Sequence, residues 1–135
     1  MSYLAKVGFQ LNDLENNNDN FLLAVYGTLK ENFPNYFYFL NPKKPIFKGV
    51  VHIPFQMYSD GGFPILFPVD EINKIYIEVF EVSQKTLDKI DRLEGVPELY
   101  NREIIYIEEI GYEVFLYVIR NREPFGDLIE DGLFE

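Results

Sequence analysis

Glu94 is the residue whose type and position best suit proton transfer. The segment 84–94 is predicted to be a helix on which Leu87, Ile90 and Glu94 share one face. Partial burial and the negative end of the helix dipole both raise the pKa of a carboxyl group placed there. Such a group can accept and return a proton near neutral pH, so Glu94 is our candidate general acid–base. A frayed helix end or a salt bridge to Arg102 is the structural alternative.

A second candidate site is the bend after the apolar run 21–26, where the chain reads Tyr26-Gly27-Thr28-Leu29. Gly27 can adopt a positive φ and lets a ligand approach the main chain, and consecutive amides at such a bend form an anion-binding nest. Thr28 can add a hydroxyl group, and Tyr26 can wall the pocket and offer its phenol. The set suits the carboxylate of a small molecule. A plain turn is the alternative, since neither a P-loop nor a G-x-G-x-x-G pattern is present.

Few other side chains are of a type that could act in catalysis or metal binding. His52 is the single histidine and cysteine is absent, so no metal site is predicted and a thiol nucleophile is excluded. Ser59 and Ser83 fall in a predicted turn and at a helix cap, without the nucleophile-elbow pattern. We expect Asp91 to be structural, bound to its own helix backbone or to Arg102.

The elements that must position these residues are mostly strands, in a chain with 13 Phe and 10 Tyr. One helix is well supported, with Ser83 as its N-cap and Gly95 as its C-cap. A short helix or an irregular segment is expected after Pro34. The predicted strands are 21–26, 46–58 with a bulge or edge at Pro54, 65–69, 74–82, and two around Gly111 within 103–119.

These elements predict an α+β fold, a small mixed β-barrel or half-barrel with few helices. The polar stretch 14–20 separates an N-terminal extension, residues 1–20, from the main domain at 21–120. The acidic segment 121–135, which contains Pro and Gly, is expected to be a loop or a loose end.

The formal net charge of −10 opposes direct contact with nucleic acid, and solubility is its simplest explanation. No apolar run approaches the roughly 20 residues of a membrane helix, so no membrane partner is expected. The first residues lack the apolar core of a signal peptide. With cysteine absent, a cytoplasmic location is expected. The oligomeric state stays open, with a homodimer as one alternative.

Four motifs in one order carry a family resemblance: "VYGTLK", then "PN", then "GGFP", then "IDRLEGVPELYNR". Together they resemble the γ-glutamylcyclotransferase-like superfamily, nearest the γ-glutamylamine cyclotransferase group and its small AIG2-like relatives. The resemblance covers about residues 21–120 and is specific at 26–30 and 91–102.

The resemblance implies a small β-barrel with one pocket and a cyclising enzyme that needs no metal or cofactor. The backbone of Tyr26, Gly27, Thr28 and Leu29 would hold the α-carboxylate of a γ-glutamyl substrate. Glu94 would be catalytic, and Tyr100 would lie near the pocket. The α-amine would attack the γ-carbonyl of the same molecule, giving 5-oxoproline and a released amine.

Three residues depart from the family pattern. Relatives commonly have Gly at the position of Asn32, a small basic or polar residue at that of Glu31, and His at that of Tyr36. An acidic Glu31 near the entrance would repel acidic substrates weakly. The alternative function is therefore a non-catalytic small-molecule-binding module on the same fold. A third interpretation is an interaction protein that uses the aromatic cluster 36–40.

Overall fold

The computed structural model describes residues 21–135, and the extension predicted at 1–20 lies outside these described residues. The elements in chain order are β1 (Phe21–Val25), α1 (Pro34–Phe39), β2 (Phe47–Ser59), β3 (Pro64–Val82), α2 (Gln84–Glu94), β4 (Asn101–Ile107), β5 (Tyr112–Val118) and β6 (Asp127–Leu128).

Across residues 21–135, the strands form one six-stranded sheet in the order β4-β5-β1-β3-β2-β6. β1 pairs in parallel with β5 and antiparallel with β3, so the sheet is mixed. The sheet curls into a half-barrel with two helices. This confirms the predicted fold class, an α+β half-barrel with few helices.

β1 lies in the middle of the sheet and is buried on both faces, as its uninterrupted apolar run predicts. Phe21, Leu23 and Val25 belong to an apolar cluster that also contains Leu87 and Ile90 of α2. The alternate residues of β1 belong to a second cluster formed with β2, β3 and β5. The strand that leads into the bend is therefore held from both sides.

β2 and β3 form a long hairpin, and β3 continues through residues 70–73, where the sequence predicted a break. The register shifts beside Pro54, from Ile53 opposite Asn73 to Phe55 opposite Pro68. Of the bulge and the edge considered at Pro54, the bulge is the correct alternative. The break was wrong because pairing with β2 holds β3 extended on both sides of the irregular stretch.

α2 has the predicted bounds, because both of its ends are capped locally. The side chain of Ser83 accepts the amide of Thr86, with an N–O distance of 3.1 Å. Gly95 is left-handed at φ 67° and its amide donates to the carbonyl of Arg92. After Pro34 the helical alternative is the correct one. No helix in the described chain is long and apolar enough to cross a membrane.

The C-terminal segment is mostly loop, as one of the two predicted alternatives has it, but it is not a loose end. β6 pairs with the end of β2, and the amide of Tyr76 donates to the carbonyl of Gly132, with an N–O distance of 2.8 Å. The buried ammonium of Lys30 donates to the carbonyl of Phe134 and lies 4.3 Å from the ring centroid of Phe33. These partners are distant in sequence, so local composition could not reveal them.

The packing of the C-terminal segment can be tested at Gly132, which has φ 69° and whose added Cβ would overlap the carbonyl of Lys74. Gly111 has a similar φ of 76° with open space around it, so Gly111→Ala is the matched control. We expect Gly111→Ala to lower the free energy of unfolding by about 1–2 kcal/mol, and Gly132→Ala to lower it clearly further. Urea unfolding measures both. Equal losses would show that the C-terminal segment is loosely held.

Candidate active site

The bend after β1 and the last turn of α2 line the same cavity, which has a volume of about 190 Å³. All the residues predicted as site residues border it: Tyr26, Gly27, Thr28, Leu29, Glu94 and Tyr100. The sequence did not predict the other lining residues, which are Ala24, Val25, Asn35, Phe63, Pro64, Leu93, Leu99 and Tyr117.

The bend is fixed by hydrogen bonds in which its own carbonyl groups are the acceptors. The amide of Lys30 donates to Gly27, with an N–O distance of 3.1 Å, and the amide of Asn35 donates to the carbonyl of Thr28, with a distance of 2.9 Å. Within residues 21–135, the amides of Gly27, Thr28 and Leu29 have no acceptor. They remain available to an anion, as the predicted nest requires.

Gly27 is required by close packing and not by backbone conformation. Its φ is not positive, so that part of the prediction was wrong. A Cβ at Gly27 would lie 2.8 Å from the Cδ and Cγ atoms of Pro64. The bend can therefore sit directly against the start of β3 only because the side chain is absent.

Glu94 points into the cavity from the last turn of α2. In the described chain it forms no ion pair, and Arg102, the partner considered from the sequence, pairs with Asp91 instead. Burial raises the pKa of Glu94 to about 7. The carboxyl group is thus divided between its two protonation states near neutral pH.

Asp91 is the structural acid of this region, as predicted, and its partners come from the sheet. The hydroxyl of Tyr117 donates to Oδ1 of Asp91, with an O–O distance of 2.6 Å. Nε of Arg102 lies 2.9 Å from the same oxygen. Its N–H does not point at a hydrogen-bond acceptor, so the contact is Coulombic. The last turn of α2 is therefore tied to β4 and β5.

The phenols that wall the cavity are already hydrogen-bonded to the backbone. Tyr26 donates its hydroxyl to the carbonyl of Tyr117, with an O–O distance of 2.6 Å, so the phenol offered by the sequence is engaged. Tyr100 donates to the carbonyl of Pro64, with a distance of 2.9 Å. Burial, with a smaller effect from the charge of Glu94, raises the pKa of both phenols above the ordinary value. Both side chains are therefore uncharged at physiological pH.

The three departures from the family pattern have local structural roles. Asn32 has φ 70°, a conformation that Asn tolerates better than most side chains. Glu31 does not line the cavity, and its carboxylate pairs with Lys44 at 2.9 Å and Lys48 at 3.2 Å. Tyr36 is buried and donates its hydroxyl to a backbone carbonyl. The concern that Glu31 repels substrate at the entrance was misplaced.

The remaining candidates from the sequence lie outside the cavity. His52 is exposed on β2, with Nδ1 2.7 Å from a carboxylate oxygen of Glu109. Ser59 stabilises the β2–β3 turn and Ser83 caps α2. Within residues 21–135, no three His, Asp or Glu side chains are grouped as metal ligands.

The comparison with family models agrees with this geometry. Residues 23–135 match the family described as "Gamma-glutamyl cyclotransferase, AIG2-like". The chain belongs to this family. The match confirms the resemblance deduced from the four motifs, and it includes the C-terminal segment.

Curated relatives carry the corresponding names. A protein of Methanocaldococcus jannaschii named "Putative gamma-glutamylcyclotransferase" is 36% identical over 109 residues, which is 80% of this chain and 90% of its own length. Gamma-glutamylaminecyclotransferase B of Danio rerio is 29% identical over 117 residues, which is 76% of this chain and 61% of its own length. These names support a γ-glutamylcyclotransferase-like enzyme.

Solved structures share the fold. An uncharacterized protein of Pyrococcus horikoshii has a TM-score of 0.69 and 25% identity, covering 85% of this chain and 90% of its own. An AIG2-like protein of Mus musculus has a TM-score of 0.63 and 23% identity, and the match covers 84% of this chain and 87% of its own. At 23% identity, the similarity to the Mus musculus protein shows the fold alone.

The packing of the bend predicts that Gly27→Ala lowers the free energy of unfolding by about 1–3 kcal/mol, because the new methyl group overlaps the Pro64 ring. Gly62→Ala is the matched control, since its Cβ would meet no atom closer than 4.0 Å. Urea unfolding of both variants makes the comparison. A Gly27→Ala protein as stable as Gly62→Ala would contradict the packing described here.

The raised pKa of Glu94 predicts a pH dependence of stability. The folded state keeps its proton between the ordinary pKa of 4.5 and about 7, so ionisation costs stability as the pH rises through this window. We expect Glu94→Gln to gain stability relative to wild type across the window, by up to about 3 kcal/mol at pH 8.

Urea unfolding between pH 4 and pH 8.5 measures this difference. Glu98→Gln removes the same charge from an exposed position four residues away and controls for net charge. A Glu94→Gln difference that stays constant with pH would show that Glu94 titrates normally.

Proposed function

We propose that this protein is a γ-glutamyl cyclotransferase that converts a γ-glutamyl amide into 5-oxoproline and a free amine. The observation that carries the proposal is the placement of Glu94, unpaired and with a pKa of about 7, in the same cavity as the unbonded amides of the bend. The family match and the names of the relatives support the reaction class.

The bend would bind the glutamyl part of the substrate. The free amides of Gly27, Thr28 and Leu29 are suited to an α-carboxylate, since backbone N–H groups are hydrogen-bond donors that carry no formal charge. Gly27 keeps the main chain accessible, and the hydroxyl of Thr28 is held by Asn35, with an Nδ2–Oγ1 distance of 2.8 Å. This anchor would leave the γ-amide to reach the far side of the cavity, where Glu94 lies.

Glu94 would move the proton that the reaction must relocate. As a carboxylate it takes a proton from the α-amino group, whose nitrogen forms the new bond to the γ-carbonyl carbon. The protonated Glu94 then gives that proton to the amide nitrogen as the original carbon–nitrogen bond breaks. No water is consumed. Because attack is intramolecular, holding the substrate folded supplies a large part of the acceleration.

The alternative of a binding module that has lost turnover rested on Glu31 and Asn32. Glu31 is paired with lysines outside the cavity, and Asn32 keeps a backbone conformation suited to Gly. Neither change removes a lining side chain. The geometry therefore favours the enzyme.

The proposal predicts that Glu94→Gln lowers the rate of 5-oxoproline release by about 10²–10⁴-fold, the usual contribution of a positioned acid–base. The amide keeps the size of the side chain but cannot shuttle a proton. Product release from a panel of γ-glutamyl amides, followed by chromatography, gives the rate. Glu98→Gln is the control and should retain wild-type activity.

Comparable rates in the wild-type and Glu94→Gln proteins would remove Glu94 from the mechanism. If wild type releases no 5-oxoproline from the panel but is stabilised thermally by its members, the binding module replaces the enzyme.

A further inference from the structure

The outer part of the cavity is an apolar rim, defined by Phe63, Leu93 and Leu99. These side chains line the cavity and are nevertheless 37%, 40% and 37% exposed. They come from the β2–β3 turn, the last turn of α2 and the loop that follows it. Three half-exposed apolar side chains at a cavity mouth are suited to an apolar ligand group.

The rim is held in place beside Glu94. Leu93 precedes Glu94 on α2. The amide of Leu99 donates to the carbonyl of Gly95, with an N–O distance of 2.7 Å. The ring centroids of Phe63 and Tyr100 are 6.4 Å apart. The rim is thus built on the same packed elements as the carboxyl group.

Within the described chain, no cation lines the cavity. Lys30 follows the bend in sequence, but its buried ammonium is bonded to the carbonyl of Phe134. Arg102 pairs with Asp91. The acids Glu94 and Asp60 help to raise the pKa of Tyr100. The positive charge of Arg102 acts on Tyr117 in the cavity wall, but its effect on the pKa of that phenol is smaller than the opposite effect of Asp91. A second carboxylate in the substrate would therefore lose water without gaining a partner.

Resting on the proposed cyclisation, we infer that the amine released by this enzyme is uncharged apart from its reacting nitrogen and carries an apolar chain. The leaving nitrogen must lie at Glu94 to receive the proton. Its substituent then extends toward Leu93 and Leu99, which flank Glu94 at the rim. A γ-glutamyl derivative of an alkylamine fits this rim, whereas an amino acid brings an unpaired carboxylate and a diamine brings an ammonium against apolar side chains.

Three substrates of similar length separate these cases. They are γ-glutamyl-3-methylbutylamide, γ-glutamyl-leucine, which adds only a carboxylate to it, and γ-glutamyl-(3-aminobutyl)amide, in which an ammonium replaces one terminal methyl group. We expect kcat/KM for 5-oxoproline release to be about tenfold or more higher for the 3-methylbutyl compound than for either of the others. Equal values, or a preference for leucine or the diamine, would overturn the inference.

The rim residue Leu93 provides a variant that should invert the preference. Leu93→Arg places a guanidinium beside the leaving group. Its effect on Glu94 is common to both substrates, so the ratio of kcat/KM for γ-glutamyl-leucine to kcat/KM for the 3-methylbutyl compound should rise about tenfold or more. Leu93→Gln is the control of similar size without charge, and it should lower only the 3-methylbutyl value. A preference that Leu93→Arg leaves unchanged would show that the substituent does not contact this rim.

Binding distinguishes failure of the substrate class from failure of the cyclisation. Calorimetry with the Glu94→Gln protein measures the affinities without turnover. A tenfold preference for the 3-methylbutyl compound, in a wild type that releases no 5-oxoproline, would support the ligand class and refute the proposed reaction. Turnover without any such preference would support the reaction and refute the ligand class.

Discussion

The contact on which the site depends is the one between Asp91 and the sheet. The Asp91 carboxylate accepts a hydrogen bond from the hydroxyl of Tyr117 and lies beside the guanidinium of Arg102. These contacts hold the last turn of α2 against β4 and β5. Glu94, three residues later, is thereby directed into the cavity. Within residues 21–135, Arg102 pairs with Asp91, and the partly buried Glu94 has no cationic partner. One acid is thus structural, while a second acid on the same helix has a pKa of about 7.

The electrostatics of the cavity follow from this division. Glu94 is the titratable acid, the surrounding phenols are neutral, and the donors that we propose for anion binding are backbone amides at the bend. Such donors bind a carboxylate without a basic side chain, which would pair with Glu94 and lower its pKa. In the proposed reaction, the carboxylate of a γ-glutamyl group would lie at the bend and its reacting amide at Glu94. The net charge of −10 does not oppose this local arrangement, because exposed charges are screened beyond about 10 Å.

Local signals in the sequence predicted what local forces determine. Caps at Ser83 and Gly95 bounded α2, and the helical spacing placed Glu94 on the face that turned out to border the cavity. Contacts between distant segments were not accessible in this way. Ordering of the C-terminal segment depends on Lys30 and Gly132, and the need for Gly27 depends on Pro64. The apolar rim was missed for the same reason, since its residues converge only after the sheet curls.

A carbon-13 NMR titration of the Glu94 side-chain carboxyl group tests the central claim most directly. The signal is assigned by its absence from the spectrum of the Glu94→Gln protein and followed from pH 4 to pH 9. The account predicts a midpoint near pH 7, with titration of the same group altered when 5-oxoproline occupies the cavity. A midpoint close to the ordinary 4.5, unaffected by the ligand, would show that Glu94 is a solvated surface acid and would contradict the account.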